Sequence, residues 1–477
     1  MDGGATVKRP LSHLFALCLL AFPLSVLAVE ELTLDRLLQR TLENYPDLLL
    51  ADLDVEHARQ ELPQVESRTG FVLGWRGGYS REISFIGTPS DIYSLGGELG
   101  RTLSSGERIG FSASIRREDN SGGAVFRGYP NPADSVNADL SYRKPFWRGD
   151  ANPEYNQGLV IARQQTEIAR ARRREQRDRL AQQAIDLFYS ALFTGFRMAN
   201  SRDAIRRAQR LKGYIEERAK LGLAEKQDRL QAQARLEAER AAHRSLELLW
   251  SEQQISLNRL LGEPWDNRLR LLEDAEEFPA SEADIETILG EAYRHSPALE
   301  QERARLEIAR AVIEQRRDAR RDMLDLVVSA GVRNLSGDTG NGFLNRSDVA
   351  GGVSVEYQKA LDHRGFDAAL YQAQLERDRV LQEMEKLRYE LRYRIAGLVA
   401  EIGENREALE SYRRRLESET AKYRESERLY REARLDTSLL IQHEAELQAA
   451  ELALQQQRVE LLKRQATLAL LRGKLAP

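Results

Sequence analysis

Residues 440–468, LIQHEAELQAAELALQQQRVELLKRQATL, decide the fold. Leucines recur in this stretch every seven residues, which is the period of a left-handed supercoil seam. A second seven-residue series of apolar residues lies five positions further on, so the two series occupy opposite flanks of one helix. A two-stranded coiled coil needs only one seam, and the pattern therefore favours a bundle or closed wall in which each helix has two neighbours. The two series are Leu440, Leu447, Leu454, Leu461 and Leu468, and Ala445, Leu452, Val459 and Ala466.

Proline is absent from two long tracts, residues 154–263 and 298–476. Both tracts are rich in Ala, Leu, Glu, Gln and Arg, which predicts very long helices. The helices expected over residues 156–220 and 366–432 would each be roughly 100 Å long at 1.5 Å per residue. Helices of that length must pack lengthwise, side by side.

The segments between the helices alternate apolar and polar residues with a period of two, which predicts strands with one apolar and one polar face. A transmembrane barrel and a soluble sandwich sheet both have this pattern. So few strands could not close a barrel alone, whereas several copies of the chain could. The apolar positions include Phe71, Leu73, Trp75, Tyr79, Tyr93, Leu95, Leu99, Ile109, Phe111, Ile115, Val136, Leu140, Tyr142, Val328, Val332, Val349, Val353 and Tyr357.

The chain also contains an internal duplication with an offset of about 251 residues at its start. Tyr45-Pro46 aligns with Ser296-Pro297, and the apolar positions around them align as well. Three parts are expected: a signal peptide over 1–28, a first repeat over 29–282 and a second repeat over 283–477. The signal peptide is predicted from a short basic region, an apolar stretch and a small-residue cleavage site ending at Ala28.

Composition excludes several classes of function. Charged residues make up 31% of the chain and the net charge is only −4, so no basic face for nucleic acid is expected. The sole cysteine, Cys18, lies in the predicted leader. His443-Glu444 begins like a zinc-protease motif, but Leu447 occupies the second histidine position. We therefore predict no enzyme activity, no metal and no cofactor. The run 172–174 of three arginines is expected to pair with acids along its own helix.

Three segments together resemble the TolC-type outer-membrane efflux protein family. LTLDRLLQRTLENYPDLLLADLDVEHA (32–58) is similar to the opening helix of that family. RKPFWRGDANPEYNQGLVIAR (143–163) is similar to its strand-to-helix passage, and ISLNRLLGEPWD (255–266) to the helix ending that closes its first repeat. Their order, spacing and duplication are more specific than any single segment.

The resemblance implies an α+β membrane protein: a homotrimer with a β-barrel in outer-membrane lipid, continuous with a long α-helical periplasmic barrel. Each repeat would supply two or more strands, and two from each repeat would give a barrel of about 12 strands. The implied function is a passive exit duct for substrates driven by an inner-membrane transporter through a periplasmic adaptor. The alternative function is a periplasmic adaptor or structural coiled-coil protein, although an adaptor needs only one helical hairpin.

The sequence departs from the family pattern at two places. A hairpin around residues 93–115 is extra, and it would alter either the barrel or the external loops. The adaptor-docking turn of the family has an apolar-Gly-apolar sequence, kept at the first helix tip, whereas Arg434 stands at the matching glycine of the second. The implied docking residues are Leu221, Gly222, Leu223, Ala433, Arg434 and Leu435, and the implied constriction residues are Asp228, Asp436, Leu440 and His443.

Overall fold

The computed structural model describes residues 30–83, 87–123, 127–222, 224–272, 284–432 and 434–475. The predicted signal peptide and the predicted boundary between the repeats, at 282/283, lie outside the described residues. The first repeat contains strand β1 (Glu30–Leu32), helices α1 (Leu34–Asn44), α2 (Pro46–Arg59) and α3 (Glu61–Glu66), strands β2 (Phe71–Ile83), β3 (Pro89–Thr102), β4 (Arg108–Asn120) and β5 (Ala133–Pro145), helices α4 (Pro153–Lys220) and α5 (Lys226–Leu261), and strand β6 (Leu269–Leu271). The second contains helices α6 (Ile285–His295) and α7 (Pro297–Ala319), strands β7 (Met323–Asp338) and β8 (Phe343–Gln358), and helices α8 (Arg364–Arg431) and α9 (Thr437–Leu471).

The element order of the first half recurs in the second half. Helices α4 and α8 have 68 residues each, and the helices that follow them have 36 and 35. The long helices begin and end within about three residues of the bounds predicted from the proline-free tracts. At 1.5 Å per residue, each is about 100 Å long.

Each long helix is flanked by shorter helices placed end to end. Near the strands, α4 packs against α2 and α7, and α7 packs against α8. Beyond them, α4 packs against α5 and α9, and α9 packs against α8. Helices α2, α4, α5, α7, α8 and α9 therefore form a layer one helix thick. A small parallel pairing of β1 with β6 lies beside this layer, where α1 packs on α4 and α5.

The two apolar series of α9 face two different helices, as predicted. Val459 and Ala466 are buried in a cluster with Ala184 and Phe188 of α4. Leu461 and Leu468 are buried in a second cluster, with residues of α6 and α8. The two-flank interpretation is thus confirmed for residues 454–468, whereas Leu440 joins a cluster with residues of α4, α5 and α8.

The arginine run of α4 pairs differently from the prediction. Arg173 forms an ion pair with Asp52 of α2, and Arg174 forms one with Glu300 of α7. These two arginines therefore join neighbouring helices, rather than only stabilising their own helix.

The described strands β2 to β5, β7 and β8 form one antiparallel sheet in the order β2-β3-β4-β5-β7-β8. The first repeat contributes four strands to this sheet and the second two, which agrees with the prediction of two or more strands from each repeat. The extra hairpin is β3 and β4, which lie inside the sheet. The prediction could not place them because strand pairing depends on residues far apart in sequence.

The passage from strand to helix after β5 is fixed by polar contacts. The Arg143 guanidinium lies 2.8 Å from the Asp325 carboxylate and 2.7 Å from that of Glu356. The backbone N–H of Gly149 donates to the Asp318 carboxylate. Asn152 caps α4 and its amide donates to the Leu103 carbonyl at 3.0 Å. These contacts explain why the RKPFWRGDANP segment needs its Arg, Gly and Asn.

At the end of α9, Glu291 of α6 accepts from Arg472 at 2.6 Å and lies 2.8 Å from Lys474. The Arg472 and Lys474 side chains lower the pKa of Glu291 from its ordinary 4.5 to about 2. Since the folded pKa is the lower one, this carboxylate stabilises the fold above about pH 4.5, and the contribution is lost as the pH falls towards 2.

We therefore expect Glu291→Gln to lower the melting temperature of the detergent-solubilised protein at pH 7. The difference from the wild type should shrink as the pH falls from 4.5 towards 2, because the wild-type carboxylate then takes up a proton. Glu286→Gln is the matched control. Glu286 lies on the same helix, but its side chain is exposed and its ion pair with Arg392 is long, at 3.9 Å. A difference that does not depend on pH would contradict this role for Glu291.

Candidate functional site at the helical tips

The turn from α4 to α5 and the turn from α8 to α9 lie at the same end of the molecule, which we call the tip. The rings of Tyr214 and Tyr430 are 5.6 Å apart there. Leu211 and Ile215 of α4, Ala232 of α5, Tyr430 of α8 and Leu440 of α9 form one buried cluster. The structure therefore brings the two predicted docking turns to one end.

The first turn presents Leu221, which is 73% exposed. Gly222 follows with φ of +73°, a left-handed conformation that favours glycine. Leu223, the third predicted docking residue, lies outside the described residues. The α5 helix then starts with a capping box in which the Glu225 backbone N–H donates to Asp228 at 3.2 Å.

The helix ends match the second turn to the first differently from the sequence comparison, which placed Arg434 opposite Gly222. Because α4 ends at Lys220 and α8 at Arg431, Gly222 matches Ala433 rather than Arg434. Ala433 lies outside the described residues. The Arg434 backbone N–H donates to the Leu429 carbonyl at 2.9 Å, a bond that closes the end of α8. The Arg434 guanidinium lies 3.4 Å from Glu432, and Leu435 packs against the tip cluster.

The four predicted constriction residues have different environments. Asp228 is the third residue of α5 and accepts from the Glu225 backbone, whereas Asp436 is the residue before α9, where the Ser438 hydroxyl donates to it at 2.6 Å and lowers its pKa. Leu440 is buried in the tip cluster. The His443 ring nitrogen Nδ1 lies 2.6 Å from the Ser426 hydroxyl of α8. Within the single chain, Leu440 and His443 therefore contribute to helix packing, while the two aspartates lie at the helix starts.

A buried ion pair near the tip was not predicted. The Arg207 guanidinium of α4 lies 2.9 Å from the Glu444 carboxylate of α9, and only 13% and 3% of these side chains are exposed. Burial raises the pKa of Glu444, against the opposing effect of Arg207. Burial also raises the pKa of the nearby Tyr423 to about 12. The sequence contains one indication of this pair: Glu444 directly precedes Ala445, which belongs to the second apolar series and so faces a neighbouring helix.

We expect Glu444→Ala to loosen the tip, because it leaves the Arg207 charge buried without its partner, at a cost of about 3–5 kcal/mol. Hydrogen exchange in the peptides around residues 207 and 444 should accelerate. The control is Glu217→Ala, which removes an exposed pair with Lys220 on the same helix and should change little. Replacing both Arg207 and Glu444 by leucine should restore protection. Unchanged exchange in Glu444→Ala would show that the pair does not hold the helices together.

The described residues contain no group of three or more His, Cys, Asp or Glu side chains placed to hold a metal ion. In the described part of the chain, the helices are too polar or too short to be membrane-spanning segments.

Comparison with known proteins gives a match in structure but not in sequence. No family sequence model matches the chain, and no curated protein sequence does. The outer-membrane channel OprN is similar with a TM-score of 0.69 and 19% identity, over 92% of this chain and 90% of that one. The outer membrane protein VceC from Vibrio cholerae has a TM-score of 0.66 and 14% identity, over 92% and 96%. The MtrE outer membrane channel of Neisseria gonorrhoeae has a TM-score of 0.60 and 18% identity, over 93% and 89%. The predicted resemblance is thereby confirmed at the level of structure: the chain has the fold of the TolC-type outer-membrane channels.

Proposed function

We propose that this chain is one subunit of a homotrimeric outer-membrane channel that extends into the periplasm. The observation that carries the proposal is the continuous apolar face of the sheet, joined directly to helices about 100 Å long. Leu73 of β2 is 73% exposed and Val353 of β8 is also 73% exposed. An apolar face of this extent needs a covering, and lipid provides it if the strands close into a barrel.

Contact between copies is supported by the apolar side chains along the two edges of the helical layer. Helices α2 and α5 form one edge and α8 forms the other. A contact between two different edges is head-to-tail, and repetition of such a contact closes a ring. The exposed apolar side chains of these edges include Leu49, Leu50, Leu53, Leu230, Leu248, Tyr371, Leu375, Tyr389 and Tyr393.

In this proposal the chain performs no chemistry. An inner-membrane transporter supplies the energy, and a periplasmic adaptor connects it to the tip of the channel. The exposed Leu221 and the left-handed Gly222 support docking at the first turn. The residues that line the water-filled path then determine what passes.

Membrane fractionation tests the proposal against a periplasmic adaptor or structural coiled-coil protein. The channel should resist an alkaline wash of the membranes and should require detergent for extraction, and it should migrate as a trimer that dissociates on heating. An adaptor without an anchor should be released by the wash. A soluble monomer would overturn the channel proposal. The two helical hairpins and the strands of the described sheet favour the channel.

We expect Gly222→Leu to reduce adaptor recovery in cross-linked cells at least tenfold and to reduce export. The side chain would strain a backbone at φ of +73° and change the shape of the turn. Gly213→Leu is the matched control, because Gly213 is exposed and lies within α4, about two turns before the helix ends at Lys220. Trimer yield is measured for both variants. Normal adaptor recovery with Gly222→Leu would show that the first turn is not the docking point.

A further inference from the structure

The hairpin of β3 and β4 is as long as the strands that surround it. β3 has 14 residues and β4 has 13, the same range as the 13 residues of β2 and β5. A transmembrane strand needs about 9–11 residues when tilted. β3 pairs with β2 and β4 pairs with β5 along nearly their whole length. The hairpin therefore belongs to the wall of the sheet rather than to a loop attached to it.

The apolar face continues through the hairpin without a break. Leu73 of β2 is opposite Leu99 of β3, and Leu95 of β3 is opposite Ile115 of β4. Phe111 of β4 is in turn opposite Leu140 of β5. Charged residues appear on this face of β3 only at Asp91 and Arg101, near the two ends of the strand. The hairpin thus carries an apolar band bounded by charges.

The opposite face of the hairpin is polar and has small side chains. Ser114 of β4 lies opposite Gly96 of β3 on one side and Asn137 of β5 on the other. Glu98 lies opposite Ser112, which is itself opposite Asp139. Such a face suits water rather than a packed protein core.

We propose that all six strands of the antiparallel sheet, β2 to β5, β7 and β8, enter the barrel wall in each chain, and that the partner of the two sheet edges is a second copy of this chain. β8 of one copy would pair with β2 of the next, and three copies would close a barrel of 18 strands. With an even number of strands in each copy, β8 and the neighbouring β2 run antiparallel, as this closure requires. The proposal rests on the trimeric channel proposed above, and it predicts a wider outer opening than a barrel of about 12 strands.

The difference in size follows from strand geometry. Strands about 4.8 Å apart and tilted by about 40° give a barrel diameter of about 24 Å for 12 strands and about 36 Å for 18. Barrels of 16–18 strands leave a water-filled channel. The small polar side chains on the inner face of β3 and β4 would line that channel.

Thiol labelling in lipid vesicles tests whether the hairpin lies in the membrane. Single cysteines are introduced at Leu95 and Ser94 of β3, with Val353 and Ser354 of β8 as the matched pair, in a background carrying Cys18→Ser. A charged, water-soluble maleimide should label S94C and S354C quickly and should label L95C as slowly as V353C. Fast labelling of L95C with slow labelling of V353C would place the hairpin outside the membrane and overturn the inference. Fast labelling at all four positions would instead overturn the proposed channel.

Spin-label distances test the number of strands. A nitroxide attached to V353C on β8 lies in the barrel wall both with and without the β3–β4 hairpin. Because three copies are related by three-fold symmetry, the distance between their labels is proportional to the barrel radius. The 18-stranded barrel should give a distance about 10 Å longer than the 12-stranded barrel. A distance matching 12 strands would overturn the inference while leaving the trimer intact. The loss of any defined distance would indicate that the trimer itself does not form.

Discussion

The packing of α9 on both of its flanks is the interaction on which the rest of this structure depends. Val459 and Ala466 bury one flank against α4, while Leu461 and Leu468 bury the other towards α8 and α6. Helical stability in proteins comes mainly from such tertiary packing. Because the layer is one helix thick, each helix must obtain its stability from lateral neighbours, and small residues such as Ala184 allow α4 and α9 to approach closely.

A layer of this kind has two edges, and so does an open sheet. On each side the edge strand and an edge helix are close in sequence, since β2 follows α2 and α3, and β8 leads directly into α8. One neighbouring copy could therefore cover a helical edge and a strand edge together. In lipid an uncovered strand edge would leave backbone N–H and C=O groups without partners, at a cost of several kcal/mol each. The requirement to close the ring of subunits is therefore strongest for the strands, and the helices of the same subunits form a ring with the same number of copies.

Sequence predicted the features that depend on local periodicity. The long helices, the two flanks of α9 and the alternating strands follow from spacing along a single segment. Contacts between distant segments were not predictable. Arg207 and Glu444 are 237 residues apart, and their pairing depends on the axial position of α9 along α4. Arg174 likewise reaches Glu300 on another helix. At the tip, the second turn was misaligned by one residue, because turns contain no periodic signal that would fix the register.

The widths of the sheet and of the helical layer in each chain support entry of all six strands of the antiparallel sheet into the wall. A strand tilted by about 40° occupies about 6 Å of perimeter, and packed helices are about 9–10 Å apart. Six strands therefore span about 38 Å, and the four helices across the layer near the strands, α2, α4, α7 and α8, span about the same width. Four strands would span only about 25 Å, and the wall would have to narrow sharply where the strands meet the helices. With β3 and β4 included, the wall keeps nearly the same perimeter where the strands meet the helices. The extra hairpin therefore makes the sheet of each chain as wide as its helical layer.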